Sequence, residues 1–124
     1  MVDETNLTGS DIRSNLIEEV KKCVCRDRQN TYGDAEDNFA DIASLANLML
    51  EKKLKEPLSP EDVAILSMCI KMARIKTSPD HLDNWVDAAG YAVCGGGLVV
   101  RDRLNSTASS EPCTQECADA SRQG

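Results

Sequence analysis

The chain is poor in aromatic residues, and this scarcity narrows the fold classes open to it. Aromatic residues make up 3% of its 124 residues, namely Phe39, Trp85, Tyr32 and Tyr91, whereas aliphatic residues and alanine supply most of the 41% hydrophobic content. Aromatic and β-branched side chains are enriched in strands, while leucine, methionine and alanine favour helices. The composition therefore predicts an all-α protein, a small bundle of about four helices.

The chain also lacks an excess of positive charge. It has 14 lysine and arginine residues against 21 aspartate and glutamate residues, which gives a formal net charge of -7. Wide nonspecific contact with nucleic acid or with an anionic membrane requires a basic surface. The charge balance argues against both partners, but it leaves room for a local basic pocket that binds one phosphorylated ligand.

A long apolar segment is missing as well. The residues after Met1 are polar, and the most apolar stretch, residues 86–100, contains Asp87 and four glycines. A membrane-spanning helix needs about 20 predominantly apolar residues. We therefore expect no signal peptide and no transmembrane start, a cytoplasmic location, and six cysteines that remain reduced thiols.

N-cap residues and helical periodicity place the four helices. Helix starts are predicted at Ser10, Asp34, Ser59 and Ser78, and proline follows the last two at the first helical position. The first helix is expected to end near residue 25, the second before Pro57 and the third near residue 76. The third helix is apolar on more than one side, which predicts that it is the most buried.

The predicted layout is a flexible N-terminus over residues 1–9, a helical domain over 10–104 and a disordered tail over 105–124. The tail is rich in polar residues and has no periodic apolar positions. The glycine run at 95–97 indicates a kink or a close helix crossing, because it lacks the strand and the lysine of a phosphate-binding loop. The helical domain is small for a stable core, so we expect a homo-oligomer, at least a dimer.

Four charged residues are the main candidates for a site. Lys71 and Arg74 lie three residues apart on the third helix, and Asp83 and Asp87 lie four apart on the fourth. One interpretation is a structural network of ion pairs between the helices. The other is a phosphate site, in which Lys71 and Arg74, with Arg28, bind phosphate while the two aspartates hold Mg²⁺ or hydroxyl groups.

The polar segment before Asp34 has two interpretations. Tyr32 and Gly33 either turn the chain and pack a ring at the end of the bundle, or Arg28, Gln29 and Tyr32 line the ligand pocket with the ring stacked on a base. Trp85 is expected in the core, with its indole N–H bound to a nearby acceptor.

Five ordered blocks resemble a family of small phage and prophage proteins of unknown function. The blocks have the pattern DRQ-x-x-YG, NF-x-x-IA, PEDVA, K-x-AR and D-x-WVD-x-AGY, and the resemblance covers roughly residues 15–97. It implies a phage-type protein in the cytoplasm of an infected host cell. That family is in turn similar, more distantly, to phage nucleotide-modification-associated domains and to the all-α MazG-like nucleoside triphosphate pyrophosphohydrolases.

The distant similarity implies a nucleotide ligand and a Mg²⁺ cofactor. By this resemblance Lys71 and Arg74 contact phosphates, Asp83 and Asp87 bind Mg²⁺, and Glu18 and Glu19 supply a second carboxylate helix. The paired acidic motifs of the MazG-like enzymes do not occur in this chain. The alternative is a non-catalytic phage counter-defence protein that sequesters a nucleotide signal or blocks a host protein.

Overall fold

A computed structural model of the chain describes residues 6–27 and 34–109. Within these residues the structure has no strand and contains four α-helices: α1 (Gly9–Lys22), α2 (Ala35–Leu50), α3 (Pro60–Thr77) and α4 (Leu82–Ser109). A π-helical turn, Cys23–Asp27, continues directly from α1. The predicted all-α class is confirmed. None of these helices combines the length and the apolar character that a bilayer crossing requires.

Two of the helices begin with a reciprocal capping box. At the start of α3 the Ser59 hydroxyl accepts a hydrogen bond from the Asp62 N–H, and the Asp62 carboxylate accepts one from the Ser59 N–H, as the sequence predicts. The predicted cap of α1, Ser10, is wrong. Thr8 caps α1 instead, because Asp11 lies three residues after it and completes the same arrangement.

The boundaries of α2 and α4 differ from the expected ones. Asp34 is the N-cap residue of α2, but its side chain makes no capping hydrogen bond, and α2 ends at Leu50, well before Pro57. Ser78 closes α3 rather than opening α4, since its N–H donates to the Arg74 carbonyl. α4 starts at Leu82 and passes through the glycines to Ser109, five residues beyond the predicted end of the helical domain.

The core is small and lies where α2, α3 and α4 meet. Phe39 is its largest side chain, and the Phe39 and Tyr91 rings lie 6.3 Å apart between centroids. Val24 of the π-helical turn packs against this core. Two buried residues come from each of the three helices: Phe39 and Ala43, Val63 and Ala64, Cys94 and Leu98.

The most extensive helix contact joins α3 and α4 at a close crossing. A Cβ atom placed on Gly95 would lie 3.1 Å from the Ala64 Cβ, whereas one placed on Gly96 would meet nothing within 4 Å. Gly95 therefore lets the α4 backbone approach α3, and the predicted close helix crossing is what the structure contains.

The connection between α2 and α3 is held by one side chain. The Leu58 N–H donates to the Asn47 Oδ1 at 2.6 Å, and the Asn47 Nδ2 donates to the Leu58 carbonyl at 3.0 Å. Both polar groups of Leu58 are thereby satisfied without a regular secondary structure. These two hydrogen bonds fix the start of α3 relative to α2.

Half of the residues of α3 are exposed, so its predicted burial holds on one side of the helix only. Val63 and Ala64 are buried and α3 packs against α2 and α4, but its opposite side is exposed. We call this side the outer face of α3, which comprises Ile65, Leu66, Cys69, Ile70, Met72 and Ala73. The apolar pattern predicted two apolar sides on this helix, and the chain covers only one of them.

The glycine run provides a first test. Gly96→Ala should raise the free energy of unfolding by about 1 kcal/mol, because alanine is the better helix former and the site is open. Gly95→Ala should raise the free energy of unfolding by less than this or lower it, because the new methyl group meets the Ala64 methyl group, which is fixed to the α3 backbone. Urea denaturation of the two variants measures the difference, and equal effects would contradict the close crossing.

The carboxyl groups of Glu61 and Asp102 interact where the start of α3 meets the C-terminal part of α4, and this interaction can be tested by changing the pH. Hydrogen bonding to the Asp102 carboxyl raises the pKa of Glu61 above its ordinary 4.5. Because the folded-state pKa is the higher one, the stability from this group is present at low pH and is lost as the pH rises through the folded pKa. Asp102→Asn should therefore raise the melting temperature more at pH 7 than at pH 4, because the two carboxyl groups are both charged only at the higher pH. Asp41→Asn, an exposed charge change on α2, is the matched control; the same profile in both variants would reject the pair.

Candidate functional site

An open cleft of about 750 Å³ lies where the end of α3 meets the start of α4. Seven of the described residues line it, and six of them have polar or charged side chains: Arg74, Thr77, Ser78, Asp80, His81 and Asn84, with Ala73 as the seventh. These residues come from the last turn of α3, from the short connection and from the first turn of α4. The cleft therefore exists because the chain reverses direction here.

Backbone hydrogen bonds hold this reversal. The Ser78 N–H donates to the Arg74 carbonyl at 2.8 Å, the His81 N–H donates to the Ser78 carbonyl at 3.2 Å, and the Asn84 N–H donates to the His81 carbonyl at 3.2 Å. Successive turns thus link the end of one helix to the start of the next. They fix His81 and Asn84 on the same side as Arg74.

Trp85 supports the connection from outside the core. Its indole N–H donates to the Pro79 carbonyl at 2.8 Å, so the expectation of a nearby acceptor is confirmed. The expectation that its ring is buried is wrong, since Trp85 is 52% exposed. Because α4 starts at Leu82, the ring covers the connection instead of facing α3.

Arg74 and Asn84 are the two most informative side chains of the cleft. Arg74 is exposed and brings a permanent positive charge with planar, forked donors. Asn84 is 7% exposed and is the buried polar residue among the described residues, and it also lines the cleft. Such an amide offers both donors and an acceptor to a molecule in the cleft.

Lys71 and Asp87 form an ion pair across α3 and α4. The Lys71 Nζ lies 2.9 Å from the Asp87 Oδ2, and the two side chains are 14% and 40% exposed. The interpretation of these charges as ion pairs between the helices therefore holds for Lys71 and Asp87. The Lys71 side chain is largely covered, and its carboxylate partner offsets part of the cost of taking charge out of water.

The four charged candidates do not line one cavity. Arg74 borders the large cleft, while Asp87 borders a narrow pocket of about 20 Å³ with Cys23, Val24 and Gly90. Asp83 is exposed in the first turn of α4 and borders neither cavity. The structure thus brings Lys71 and Asp87 together and leaves Arg74 among different polar residues.

The other predicted site residues are either undescribed or exposed. Arg28 and Tyr32 lie outside the described residues, and Glu18 and Glu19 are exposed on α1. Within residues 6–27 and 34–109, no three histidine, cysteine, aspartate or glutamate side chains converge as metal ligands would. Magnesium binding by Asp83 and Asp87 stays a prediction.

Sequence reasoning missed the polar lining that Asn84, Thr77 and Ser78 provide. Asn84 lies inside the fifth sequence block next to Trp85, and the apolar pattern there predicts a core position for Trp85 but no role for Asn84. The Ser78-Pro79 pair predicts the start of a helix, which hides the turn that brings these residues together. The role of Ser78 is the signal that could have revealed the cleft. If Ser78 ends α3 instead of starting α4, residues 78–81 form a turn between the two helices.

Comparison with known proteins identifies relatives for the central part of the chain. A family model described as a domain of unknown function (DUF6378) matches residues 15–99. The chain is 39% identical over 80 residues to the Gene 55 protein of Mycobacterium phage D29, covering 64% of this chain and 50% of the relative. It is 33% identical over 78 residues to the Gene 55 protein of Mycobacterium phage L5, covering 63% of this chain and 48% of the relative.

The chain therefore spans about half the length of these two phage proteins. No solved structure matches it. The predicted resemblance to small phage proteins is confirmed at the level of the family. The more distant similarity to MazG-like enzymes stays a prediction.

The Lys71–Asp87 pair yields a stability test. Asp87→Asn should lower the free energy of unfolding by about 1–3 kcal/mol, because the covered Lys71 ammonium loses its carboxylate partner. Asp41→Asn, which removes an exposed charge on α2, should change it by less than about 0.5 kcal/mol. Urea denaturation at pH 7 measures both values, and an Asp87→Asn effect no larger than the control would show that the pair contributes nothing.

Proposed function

This chain belongs to the DUF6378 family, described as a domain of unknown function, and from that premise we propose that it is a phage-type protein that binds a phosphorylated nucleotide in the cleft between α3 and α4. The observation that carries the proposal is the position of Arg74 and the largely buried Asn84 on one cleft. Its volume of about 750 Å³ lies within the range of small-molecule sites, about 300–1,000 Å³.

The phosphate end of the ligand would contact Arg74. A guanidinium group binds phosphate oxygens through two parallel, charge-assisted hydrogen bonds. The first turn of α4 borders this part of the cleft through Asn84, and the dipole at a helix N-terminus favours an anion. Phosphate is therefore the ligand group that matches this part of the cleft.

The sugar and the base would contact the remaining polar side chains. Thr77 and Ser78 carry hydroxyl groups that both donate and accept, and Asp80 accepts from a hydroxyl or an amino group. The Asn84 amide can pair with the edge of a base, since both groups present a donor beside an acceptor. His81 adds an imidazole at the edge of the same cleft.

The proposal is for binding, and hydrolysis is a separate question for experiment. The distant resemblance implies a Mg²⁺-dependent pyrophosphohydrolase, with Asp83 and Asp87 as metal ligands. In the structure Asp87 is paired with Lys71, and the described residues bring no third acidic or histidine ligand to it. Binding without turnover is the property expected of a protein that sequesters a nucleotide signal.

Ligand binding can be tested by thermal shift with nucleoside triphosphates and cyclic nucleotides, each with and without MgCl₂. At least one nucleotide should raise the melting temperature in a concentration-dependent way. Arg74→Ala should weaken that ligand by about 10- to 100-fold, because one charged phosphate contact is lost. Release of pyrophosphate or nucleoside monophosphate, measured in parallel, separates turnover from binding.

Lys53→Ala is the matched control for Arg74→Ala. Lys53 is an exposed cation in the turn after α2 that does not line the cleft. Its loss changes the net charge equally but should leave nucleotide affinity within about twofold. Equal losses in the two variants would show a general charge effect, and no response to any nucleotide would reject the proposal.

A further inference from the structure

The outer face of α3 is apolar, exposed and free of charged residues along most of its length. Ile65, Leu66, Ile70 and Met72 are each between 51% and 58% exposed. No charged residue occurs from Val63 to Ile70, and the charged Lys71 points to α4, where it pairs with Asp87. A helix that is apolar on all sides is normally covered on all sides.

The charges that border this face are arranged symmetrically. Asp62, Cys69 and Lys76 follow one another at intervals of seven residues and therefore lie on nearly the same side of α3. The acidic residue lies at the N-terminal end, the basic residue lies at the C-terminal end, and Cys69 is halfway between them. When two such helices pack antiparallel, each acidic end meets a basic end.

We propose that a second copy of this chain covers the outer face of α3, in a twofold dimer whose two α3 helices cross antiparallel near Cys69. The same apolar residues then face each other from the two copies, as a twofold interface requires. Lys76 of each copy lies beside Asp62 of the other. Parallel packing would instead bring like charges together at both ends.

The single chain buries little apolar surface by itself. Its hydrophobic core within the described residues comprises six side chains, of which Phe39 is the largest. A core of this size leaves a small domain marginally stable, so a shared apolar interface would add to its stability. A standard interface takes about 800 Å² from each partner.

The dimer can be tested on the full chain by sedimentation velocity and light scattering. The wild-type protein should have twice the 13.5 kDa chain mass at micromolar concentration. Cys69→Glu and Cys69→Lys should each raise the dimer dissociation constant at least about 100-fold, because two like charges then meet on the twofold axis. An equimolar mixture of the two variants should recover the dimer, because the opposite charges then face each other.

Leu48→Glu is the control, since Leu48 is an exposed leucine on α2 that lies outside the proposed contact. It should leave the dimer intact, and circular dichroism should show unchanged helical content in all variants. A monomeric wild-type chain at 100 µM overturns the proposal. So does a dimer that tolerates both Cys69 variants, or a mixture of the two that stays monomeric.

Discussion

The close approach of α4 to α3 at Gly95 and Ala64 is the constraint on which the other features depend. The absence of a side chain on Gly95 lets the two backbones come together, and the distance of this crossing fixes how far the helices diverge beyond it. On one side of it Glu61 meets Asp102, and on the other Lys71 meets Asp87. Further along, the helices separate enough to leave the polar cleft at their junction.

The position of this crossing places the charged residues of α3 in different environments. Lys71 and Asp87 lie close enough to the crossing to pair with each other, and their pairing ties the helices together. Arg74 lies one turn further, where the chain reverses and α4 has only begun. Two cations three residues apart thus have different environments: one is covered and paired, and the other borders a cavity that can accept an external anion.

The sequence predicted local features well and tertiary environments poorly. The capping box at Ser59 follows from chemistry contained in a few neighbouring residues and was predicted. The glycine run predicted a kink or a close helix crossing, and the structure contains the crossing. Trp85 was misplaced because its environment depends on where α4 starts, and a second serine–proline pair resembled a helix start but ended α3 instead. The polar cleft could not be predicted because its residues converge only after the turn at 78–81 is known. Apolar periodicity predicted that α3 is apolar on more than one side, but it could not show that the chain itself covers only one of these sides.

The position of Trp85 gives the protein an intrinsic optical probe. The chain has one tryptophan, half exposed, and its indole hydrogen-bonds to the carbonyl of Pro79 in the turn that borders the cleft. Indole emission is sensitive to solvent contact and to hydrogen bonding, so any rearrangement of this turn alters the fluorescence of a single, defined residue. The ordering of residues 78–81 can therefore be followed in the unmodified chain, without attaching a dye.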